Sequence, residues 1–292
     1  MHILNIYIRC ESDMTDRLSE FVQYIDESGV AANTREAYER DIRLLMRQLS
    51  ADGVRELEDI SSAELMQYVD GLSAKGKSTA TISRTVASIR RFFAFTHSRG
   101  YTFSDPSEML KTPKVIKKTP AILSDKDIKR IIMSVDTDTT KGIRDKAMLE
   151  LIISTGIGAT EILELTVSDV DLRSQTVSAG SKKRRVSISK RAADMLRAYD
   201  EVRDKLLNGQ EDCGVFFLSC SGRRMSRQGL WKIIRAAGVD AGIDNITPQM
   251  LRHSFAVSAL RHGKDVGTVQ KILGHTTKAG ALEYQSMAEA GM

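Results

Sequence analysis

A stretch without helical apolar spacing, Lys111–Pro120, divides the chain into two parts. It reads KTPKVIKKTP and contains two of the chain's four prolines, four lysines and no acidic residue. Proline fixes its own backbone dihedral and disfavours helix at the residue before it, so this stretch is predicted to be extended. We therefore expect a basic interdomain linker at 111–120, itself attracted to phosphate, between two separately folded domains.

The first part has the apolar periodicity of amphipathic helices. Four such patterns follow one another, and each ends close to a glycine. The predicted helices begin, in chain order, near Met14, at a cap formed by Asn33 or Thr34, at a capping box of Ser61 and Glu64, and near Ser78. We expect a helical bundle over residues 14–110, preceded by residues 1–13 as an N-terminal extension.

The second part mixes helices with short strands. The segments Thr176–Ala179 and Arg185–Ser189 flank a basic turn and predict a hairpin, and Val215–Leu218 is predicted to be a further strand. Helical patterns lie at about 124–135, 141–155, 159–165, 190–207, 226–237, 248–262, 265–273 and 278–287. The predicted fold class is mostly α with a small β-hairpin or sheet, as an N-terminal helical bundle followed by an α+β domain over 121–292.

Charge is unevenly distributed along the chain. The net charge is +5, but residues 1–110 hold 13 basic and 17 acidic side chains, so the surplus lies in residues 111–292. Three windows lack acidic residues and are rich in lysine and arginine: 71–104, 172–193 and 213–239. Each window alone could be a solvated face, whereas several together favour binding to a polyanion such as nucleic acid.

Several other classes of protein are excluded by composition and motif. No apolar run approaches the roughly 20 residues of a membrane helix, so no membrane partner is expected. The three cysteines, Cys10, Cys213 and Cys220, are too few and too scattered for a disulfide framework or a metal site, which predicts a cytoplasmic protein. Neither a P-loop nor a dinucleotide-binding glycine motif is present.

The most informative motifs lie between Thr247 and Tyr284. The segment 247–256 reads TPQMLRHSFA, 271–275 reads KILGH, and Tyr284 follows nine residues after His275. With the earlier segment RDKAMLELIISTG at 144–156, this pattern resembles the tyrosine recombinases, the phage-integrase and Xer-type family. The resemblance implies a core-binding, SAM-like DNA-binding domain over 14–110 and a catalytic-type domain over 121–292.

The resemblance also implies a chemistry. In this family a tyrosine oxygen attacks a DNA phosphodiester, which leaves a 3′-phosphotyrosyl bond and a free 5′-hydroxyl. Cations must stabilise the extra negative charge on the phosphate, and forked guanidinium groups suit this best. Proton transfer calls for histidine and lysine, and no metal or other cofactor is needed. The implied partner is double-stranded DNA, bound by a homo- or hetero-oligomer that forms a tetramer on two DNA sites.

Three residues match the family's catalytic positions. Tyr284 falls at the nucleophile, Arg252 at the second phosphate-binding arginine, and His275 at the late histidine. Each residue also has an ordinary structural interpretation: a half-buried tyrosine, an arginine in a surface ion pair and a capping histidine.

Three positions depart from the family's pattern. Gly158 stands where the family has its first arginine, and Gln249 replaces the histidine three residues before Arg252. Lys182 is the candidate for the hairpin lysine, with Lys183 close behind, although pairing the strands without a gap would place Ala179 there. A basic hairpin that merely contacts the DNA backbone is the alternative.

Eight basic residues are predicted to contact DNA: Lys77, Arg84, Arg90, Arg91, Lys183, Arg184, Arg185 and Arg227. Arg184, Arg185 or a partner subunit could replace the missing arginine. Two hypotheses follow from the resemblance: a recombinase impaired by Gly158 and Gln249, or an inactive DNA-binding partner at recombination-like sites. A third, a helical DNA-binding regulator unrelated to recombination, requires the Tyr284 spacing to be accidental.

Overall fold

The computed structural model describes the backbone of residues 2–115, 120–275 and 279–290, and it divides into two compact units after residue 118. This division falls within the predicted linker, of which residues 116–119 lie outside the described residues. No helix in the described ranges is long and apolar enough to cross a membrane.

The first unit is built from helices. They are α1 (His2–Glu27), α2 (Ala32–Ala51), a 3₁₀ turn (Leu57–Asp59), α3 (Ser62–Ala74) and α4 (Thr79–Ser98). Their apolar faces meet in a core that includes Phe21, Ile42 and Phe92, all fully buried, and the Phe21 and Phe92 rings pack edge to face at 5.3 Å. The backbone of residues 2–13 continues α1, so the predicted extension is part of the first helix.

Local capping residues set most helix starts in this unit. Ser61 and Glu64 form the predicted capping box of α3, and the Ser78 hydroxyl accepts a hydrogen bond from the Thr81 amide at the start of α4. The cap predicted for α2 at Asn33 or Thr34 was wrong, because α2 begins after Ala31. The Ala31 carbonyl closes this first turn by accepting from two backbone amides, those of Thr34 and Arg35.

The second unit surrounds one buried helix. Its first elements are α5 (Asp125–Ser134), α6 (Thr140–Thr155) and α7 (Ala159–Glu164), and residues 147–152 of α6 are all buried. The later helices are α8 (Lys190–Val202), a 3₁₀ turn (Arg203–Leu206), α9 (Arg227–Asp240), α10 (Pro248–Arg261), α11 (Val266–Leu273) and α12 (Ala279–Ala290). Helices α8 and α10 pack on α6, and α12 packs on α10 and α11.

A small antiparallel sheet lies in the second unit. Its strands are β1 (Val170–Asp171), β2 (Thr176–Ala179) and β3 (Arg184–Ser187), in the order β1-β2-β3. The predicted hairpin is therefore present, with Ala179 paired to Arg184 across a four-residue turn at 180–183. The two-residue strand β1 was not predicted, because so short a segment carries little alternation.

The strand predicted at Val215–Leu218 was wrong. Only its two ends make isolated bridges, Val215 with Thr166 and Leu218 with Arg224. The Phe216 amide donates to the Leu165 carbonyl, whereas the Phe216 carbonyl accepts from Arg203 Nε at 3.0 Å and the Leu218 amide donates to Tyr199 Oη. The segment is apolar because it is buried, and it belongs to no continuous ladder.

Candidate functional site

The turn after α6 allows two later helices, α10 and α11, to approach its backbone closely. Gly156 ends α6 in the left-handed conformation, with φ of 62°. A Cβ atom there would lie 2.4 Å from the Phe255 ring and 2.8 Å from the Leu273 side chain, so only glycine fits. Helices α10 and α11 can therefore pack directly against this turn.

Arg252 holds three elements together at the turn. It lies on α10, and its Nη1 donates to the Gly156 carbonyl at 2.7 Å while its Nη2 donates to the Leu273 carbonyl at 2.6 Å. The side chain is 12% exposed, and Nη1 lies 3.6 Å from the Glu161 carboxylate. Burial lowers the pKa of Arg252, which Glu161 opposes. Arg252 is thus a fixed, largely desolvated cation.

Tyr284 lies on α12 and faces α10. It is buried, and its Oη is 2.7 Å from His253 Nδ1. Burial raises the pKa of the Tyr284 phenol, while the positive charge of Arg252 lowers it in part. The phenol is therefore protonated at neutral pH, and its use as a nucleophile requires a proton acceptor.

Two imidazoles flank the Tyr284 ring. The His275 ring stacks on it with centroids 6.1 Å apart, and the His253 ring lies at 5.3 Å. Burial is the main cause that lowers the pKa of both histidines, and Arg252 adds to it. Both imidazoles are therefore neutral at neutral pH. In the tautomer protonated on Nε2, His253 accepts the Tyr284 hydroxyl proton in a hydrogen bond.

His275 offers a free polar atom at this site. It follows Gly274, which ends α11 with φ of 70°, and its amide donates to the Gln270 carbonyl. Its Nδ1 is buried and has no hydrogen-bond partner among the described residues. Buried polar atoms in folded proteins are normally paired, so this nitrogen suits a bound ligand.

Gly158 lies beside Arg252 at the start of α7. A Cβ atom there would be 3.5 Å from Arg252 Nη1 and 3.2 Å from Glu161 Oε2. The Gly158 amide donates to Glu161 Oε2 at 2.8 Å, so the carboxylate caps α7. The position where the family has its first arginine therefore borders the Arg252 guanidinium but supplies no side chain.

The basic residues of the hairpin point in different directions. Lys182 is exposed in the turn, whereas Lys183 Nζ is bound to the buried Asp169 at 2.7–2.8 Å. Arg184 contacts Glu161, and Arg185 donates to Thr176 and Ser174 on the exposed face. Of these four residues, only Arg184 extends to the carboxylate that Arg252 also approaches.

Two further predicted residues of the second unit are exposed. Gln249 is exposed in the first turn of α10, and Arg227 is exposed at the start of α9. Neither side chain makes a hydrogen bond to a described residue.

The predicted DNA-contacting residues of the first unit differ in exposure and in whether another group of the protein already binds their charge. Lys77 is exposed, Arg91 is exposed with its guanidinium 5.7 Å from the Tyr24 ring, and Arg90 donates to the Leu110 carbonyl. Arg84 instead forms an ion pair with the buried Asp41 at 2.5 Å. Arg84 therefore compensates a carboxylate inside the bundle, which weakens its candidacy as a DNA contact.

Two site residues were missed from the sequence. Neither His253, which follows Arg252 in the segment TPQMLRHSFA, nor Glu161 was among the predicted site residues. Glu161 could have been found as a capping carboxylate three residues after Gly158. The contact between His253 and Tyr284 depends on the packing of α12 against α10, for which the sequence carries no local signal. No cluster of metal-binding side chains occurs in the part of the chain that the structure describes.

Comparison with known proteins identifies the family. Residues 121–290 match the phage integrase family, and residues 18–100 match the phage integrase N-terminal SAM-like domain. The chain is 35% identical over 269 residues to tyrosine recombinase XerD of Listeria monocytogenes serotype 4b (strain F2365), covering 90% of this chain and 91% of that protein. It is also 35% identical over 284 residues to tyrosine recombinase XerC of Roseiflexus sp. (strain RS-1), covering 95% and 91%.

Solved structures show the same fold. XerA recombinase is similar with a TM-score of 0.54 and 25% identity, over 95% of this chain and 96% of that chain. A lambda integrase tetramer bound to a Holliday junction has a TM-score of 0.69 and 17% identity, over 92% of this chain and 76% of that chain. The predicted family and fold class are thus confirmed, and the chain belongs to the phage integrase family of tyrosine recombinases.

Proposed function

We propose that this protein binds double-stranded DNA and cleaves and rejoins it through Tyr284, at a rate lowered by Gly158 and Gln249. The observation that carries the proposal is the 2.7 Å contact between Tyr284 Oη and His253 Nδ1, beside Arg252 and His275. Arg252 and His253 lie on α10, Tyr284 on α12 and His275 directly after α11. Together they supply a nucleophile, a proton acceptor and a phosphate-binding cation.

The cleavage step can be written from these groups. Tyr284 Oη forms a bond to the phosphorus, and the bond from phosphorus to the 5′-oxygen breaks, leaving a 3′-phosphotyrosyl ester. The phenol proton passes to His253 Nδ1, and the departing 5′-oxygen takes up a proton to become a hydroxyl. Lys182, in the exposed hairpin turn, is our candidate for that second proton. The reverse step rejoins the strand.

The site can stabilise part of the negative charge that develops on the phosphate. Arg252 has its guanidinium fixed by two backbone carbonyls and keeps further N–H groups for a ligand. The free Nδ1 of His275 adds a hydrogen-bonding atom. Because both groups are positioned before DNA binds, they stabilise a developing charge without reorganisation.

Gly158 and Gln249 are the reason that we expect a lowered rate of cleavage. A glycine provides no cation for the phosphate, and loss of one such contact typically lowers a rate about 10²–10³-fold. Glutamine cannot exchange a proton at neutral pH, and loss of a general acid or base costs about 10²–10⁴-fold. Slow strand exchange is the expected result.

Binding of DNA involves the two units and more than one copy of the protein. The exposed Lys77, Arg91 and Arg227 are proposed phosphate contacts, together with the hairpin. The similarity to lambda integrase, solved as a tetramer bound to a Holliday junction, supports an assembly of several subunits on two DNA sites. A homotetramer or a tetramer with a related partner would both satisfy this proposal.

The test is a covalent adduct on nicked DNA. A binding site would first be selected from random-sequence duplexes, and a nick placed near the cleavage point would then trap the cleaved strand. We expect a slowly formed adduct on a denaturing gel that is absent in Tyr284→Phe. Tyr199→Phe, which removes a buried hydroxyl bonded only to backbone, is the matched control and retains the adduct.

A second candidate function is a DNA-binding partner that does not cleave. The observation that favours it is the absence of a cationic side chain at Gly158, combined with a Tyr284 side chain that is only 4% exposed. Sequence-selective binding without any adduct would support this function and contradict the first. Failure to select any duplex would contradict both.

A further inference from the structure

The guanidinium group of Arg184 and the backbone amide of Gly158 bind the same carboxylate, that of Glu161. Arg184 is the first residue of β3, and its Nη2 donates to Glu161 Oε2 at 2.8 Å. The same oxygen accepts the Gly158 amide. We propose that Arg184 supplies the phosphate-contacting cation that Gly158 lacks, oriented by Glu161; this proposal rests on the function proposed above.

Small residues make room for this guanidinium. A Cβ atom on Gly274 or on Gly180 would lie 2.9 Å from Arg184 Nη1, and both glycines have positive φ. Ala179, opposite Arg184 in the hairpin, carries only a methyl group. These three residues leave a space that the long Arg184 side chain fills.

Glu161 couples the two arginines of the site. Both Glu161 oxygens accept from Arg184, and Arg252 Nη1 lies 3.6 Å away. Burial would raise the pKa of Glu161, but the hydrogen bonds from Arg184 and the Gly158 amide, with the charge of Arg252, lower it overall. One carboxylate is therefore shared by two guanidinium groups, and the cluster keeps one net positive charge.

Arg184 retains a donor for a ligand. Its Nε donates to the Ile272 carbonyl at 2.8 Å, and its Nη1 is used by Glu161 and, at 3.4 Å, by the Ala179 carbonyl. Nη2 has one N–H on Glu161, and its second has no partner among the described residues. This side chain lines an open cavity of about 550 Å³ with Lys182, Lys271 and His275. A phosphate in that cavity would meet Arg184 and His275 together.

Arg185 does not share this geometry. Alternation along β3 turns it to the other face of the sheet, where its side chain is 66% exposed. It bonds Thr176 Oγ1 at 3.0 Å and Ser174 Oγ at 2.9 Å. Of the two hairpin arginines that could replace the missing one, the geometry therefore selects Arg184.

The test compares two forms of the selected, nicked duplex. One form has the natural phosphodiester at the cleavage point, and the other has a methylphosphonate, which lacks one negatively charged oxygen. Arg184→Gln is expected to slow adduct formation about 10²–10³-fold on the phosphodiester. On the methylphosphonate the loss shrinks to less than about tenfold, because less charge needs a cation.

Arg203→Gln is the matched control, because Arg203 is also a buried arginine that binds a carboxylate through two N–H groups. It is expected to lower thermal stability and to change the two rates equally. An equal loss on both substrates for Arg184→Gln, or no loss, would overturn the inference while leaving the proposed function intact.

Two further outcomes are decisive. If Arg184→Gln does not fold, Arg184→Lys is measured in the same way, and a loss confined to the phosphodiester still supports the inference. If the wild-type protein forms no adduct on either substrate, both the proposed function and this inference are contradicted.

Discussion

The two sides of the site differ in how many of the family's catalytic positions carry a functional side chain. The side built from α10, α11 and α12 holds His253 and His275 against Tyr284, with Arg252 fixed on the Gly156 and Leu273 carbonyls. The side built from α7 and the hairpin has Gly158 where the family has its first arginine, and Arg184 of β3 contacts Glu161 of α7 there.

This difference separates two tasks that an active site must perform. Positioning a nucleophile requires packing between helices, and that packing is intact here. Stabilising charge on a phosphate requires cations at defined places, and one of these is absent from its usual element. Substitutions on one side should therefore impair positioning of the nucleophile, and substitutions on the other should impair stabilisation of the phosphate charge.

The largest loss in the rate of adduct formation is expected for a variant on the side built from α10, α11 and α12. His253→Gln removes the proton acceptor of Tyr284 and should slow adduct formation about 10²–10⁴-fold, measured as single-turnover kinetics on the nicked duplex. His262→Gln is the matched control, because His262 ends the same helix, is exposed, and bonds only to Ser258. A rate for His253→Gln equal to that of His262→Gln would show that the contact has no role in cleavage.

The pH dependence of the same reaction follows from the pKa directions. Burial lowers the pKa of His253, and Arg252 and His275 lower it further against the opposing charge of Glu283. His253 is therefore neutral and able to accept a proton down to below about pH 6.5, and the adduct rate falls as the pH drops through its lowered pKa. In His253→Gln the adduct rate should no longer fall over this range of acidic pH.

The two lowered histidine pKa values also affect stability. Between the lowered and ordinary values the unfolded chain binds more protons than the folded protein, so the free energy of unfolding falls as the pH drops below about 6.5. Urea denaturation at two pH values measures this, and stability that rises on acidification would contradict the burial of these imidazoles.

Gln249→His is expected to increase the rate of adduct formation, by less than His253→Gln decreases it. Gln249 is exposed in the first turn of α10, so an imidazole has space there. Restoring a group that can exchange a proton should raise the adduct rate about 10²-fold. Gln249→Asn keeps the amide and serves as the control. No increase with histidine would show that the amide is not what limits the rate.

A still smaller gain is expected from Gly158→Arg. A Cβ atom fits at 3.2 Å from Glu161 with a slight adjustment, and backbone φ at this residue is −72°. Because Arg184 already binds the Glu161 oxygen that the Gly158 amide contacts, the added arginine should raise the rate only about tenfold. Gly158→Gln controls for bulk without charge. A gain of 10³-fold would indicate that Arg184 contributes little.

The smallest effects concern DNA binding by the first unit. Arg91→Gln should reduce the slope of log affinity against log salt concentration by about one, if Arg91 binds a phosphate. Arg84→Gln should instead destabilise the bundle, because it leaves the buried Asp41 without its cation. Salt titrations and thermal melting separate the two, and equal salt slopes would show that Arg91 is not a contact.

Features that depend on neighbours in sequence were predictable. The capping box at Ser61, the cap at Ser78 and the β-hairpin follow from side chains within a few residues of each other. The spacing of Arg252, His275 and Tyr284 was equally informative, because these residues lie close together in sequence. These signals predicted the fold class, which is confirmed, and named the candidate site residues.

Features that depend on tertiary packing were not predictable. Arg84 looked like a free cation in an acid-free window, but Asp41 lies 43 residues away and neutralises it inside the core. Arg184 and Glu161 are 23 residues apart and meet only because the hairpin folds toward α7. Such pairs have no periodicity, so the sequence suggested Arg184 as a substitute but could not choose it over Arg185.

The most direct test is to identify the residue that becomes linked to DNA. The nicked duplex would be incubated with wild-type protein, the adduct digested with protease, and the DNA-bound peptide sequenced by mass spectrometry. We expect a 3′-phosphate esterified to Tyr284, with a free 5′-hydroxyl that polynucleotide kinase labels without prior phosphatase treatment. A DNA linkage at another residue, or sequence-selective binding with no linkage, would contradict the proposal that Tyr284 cleaves DNA.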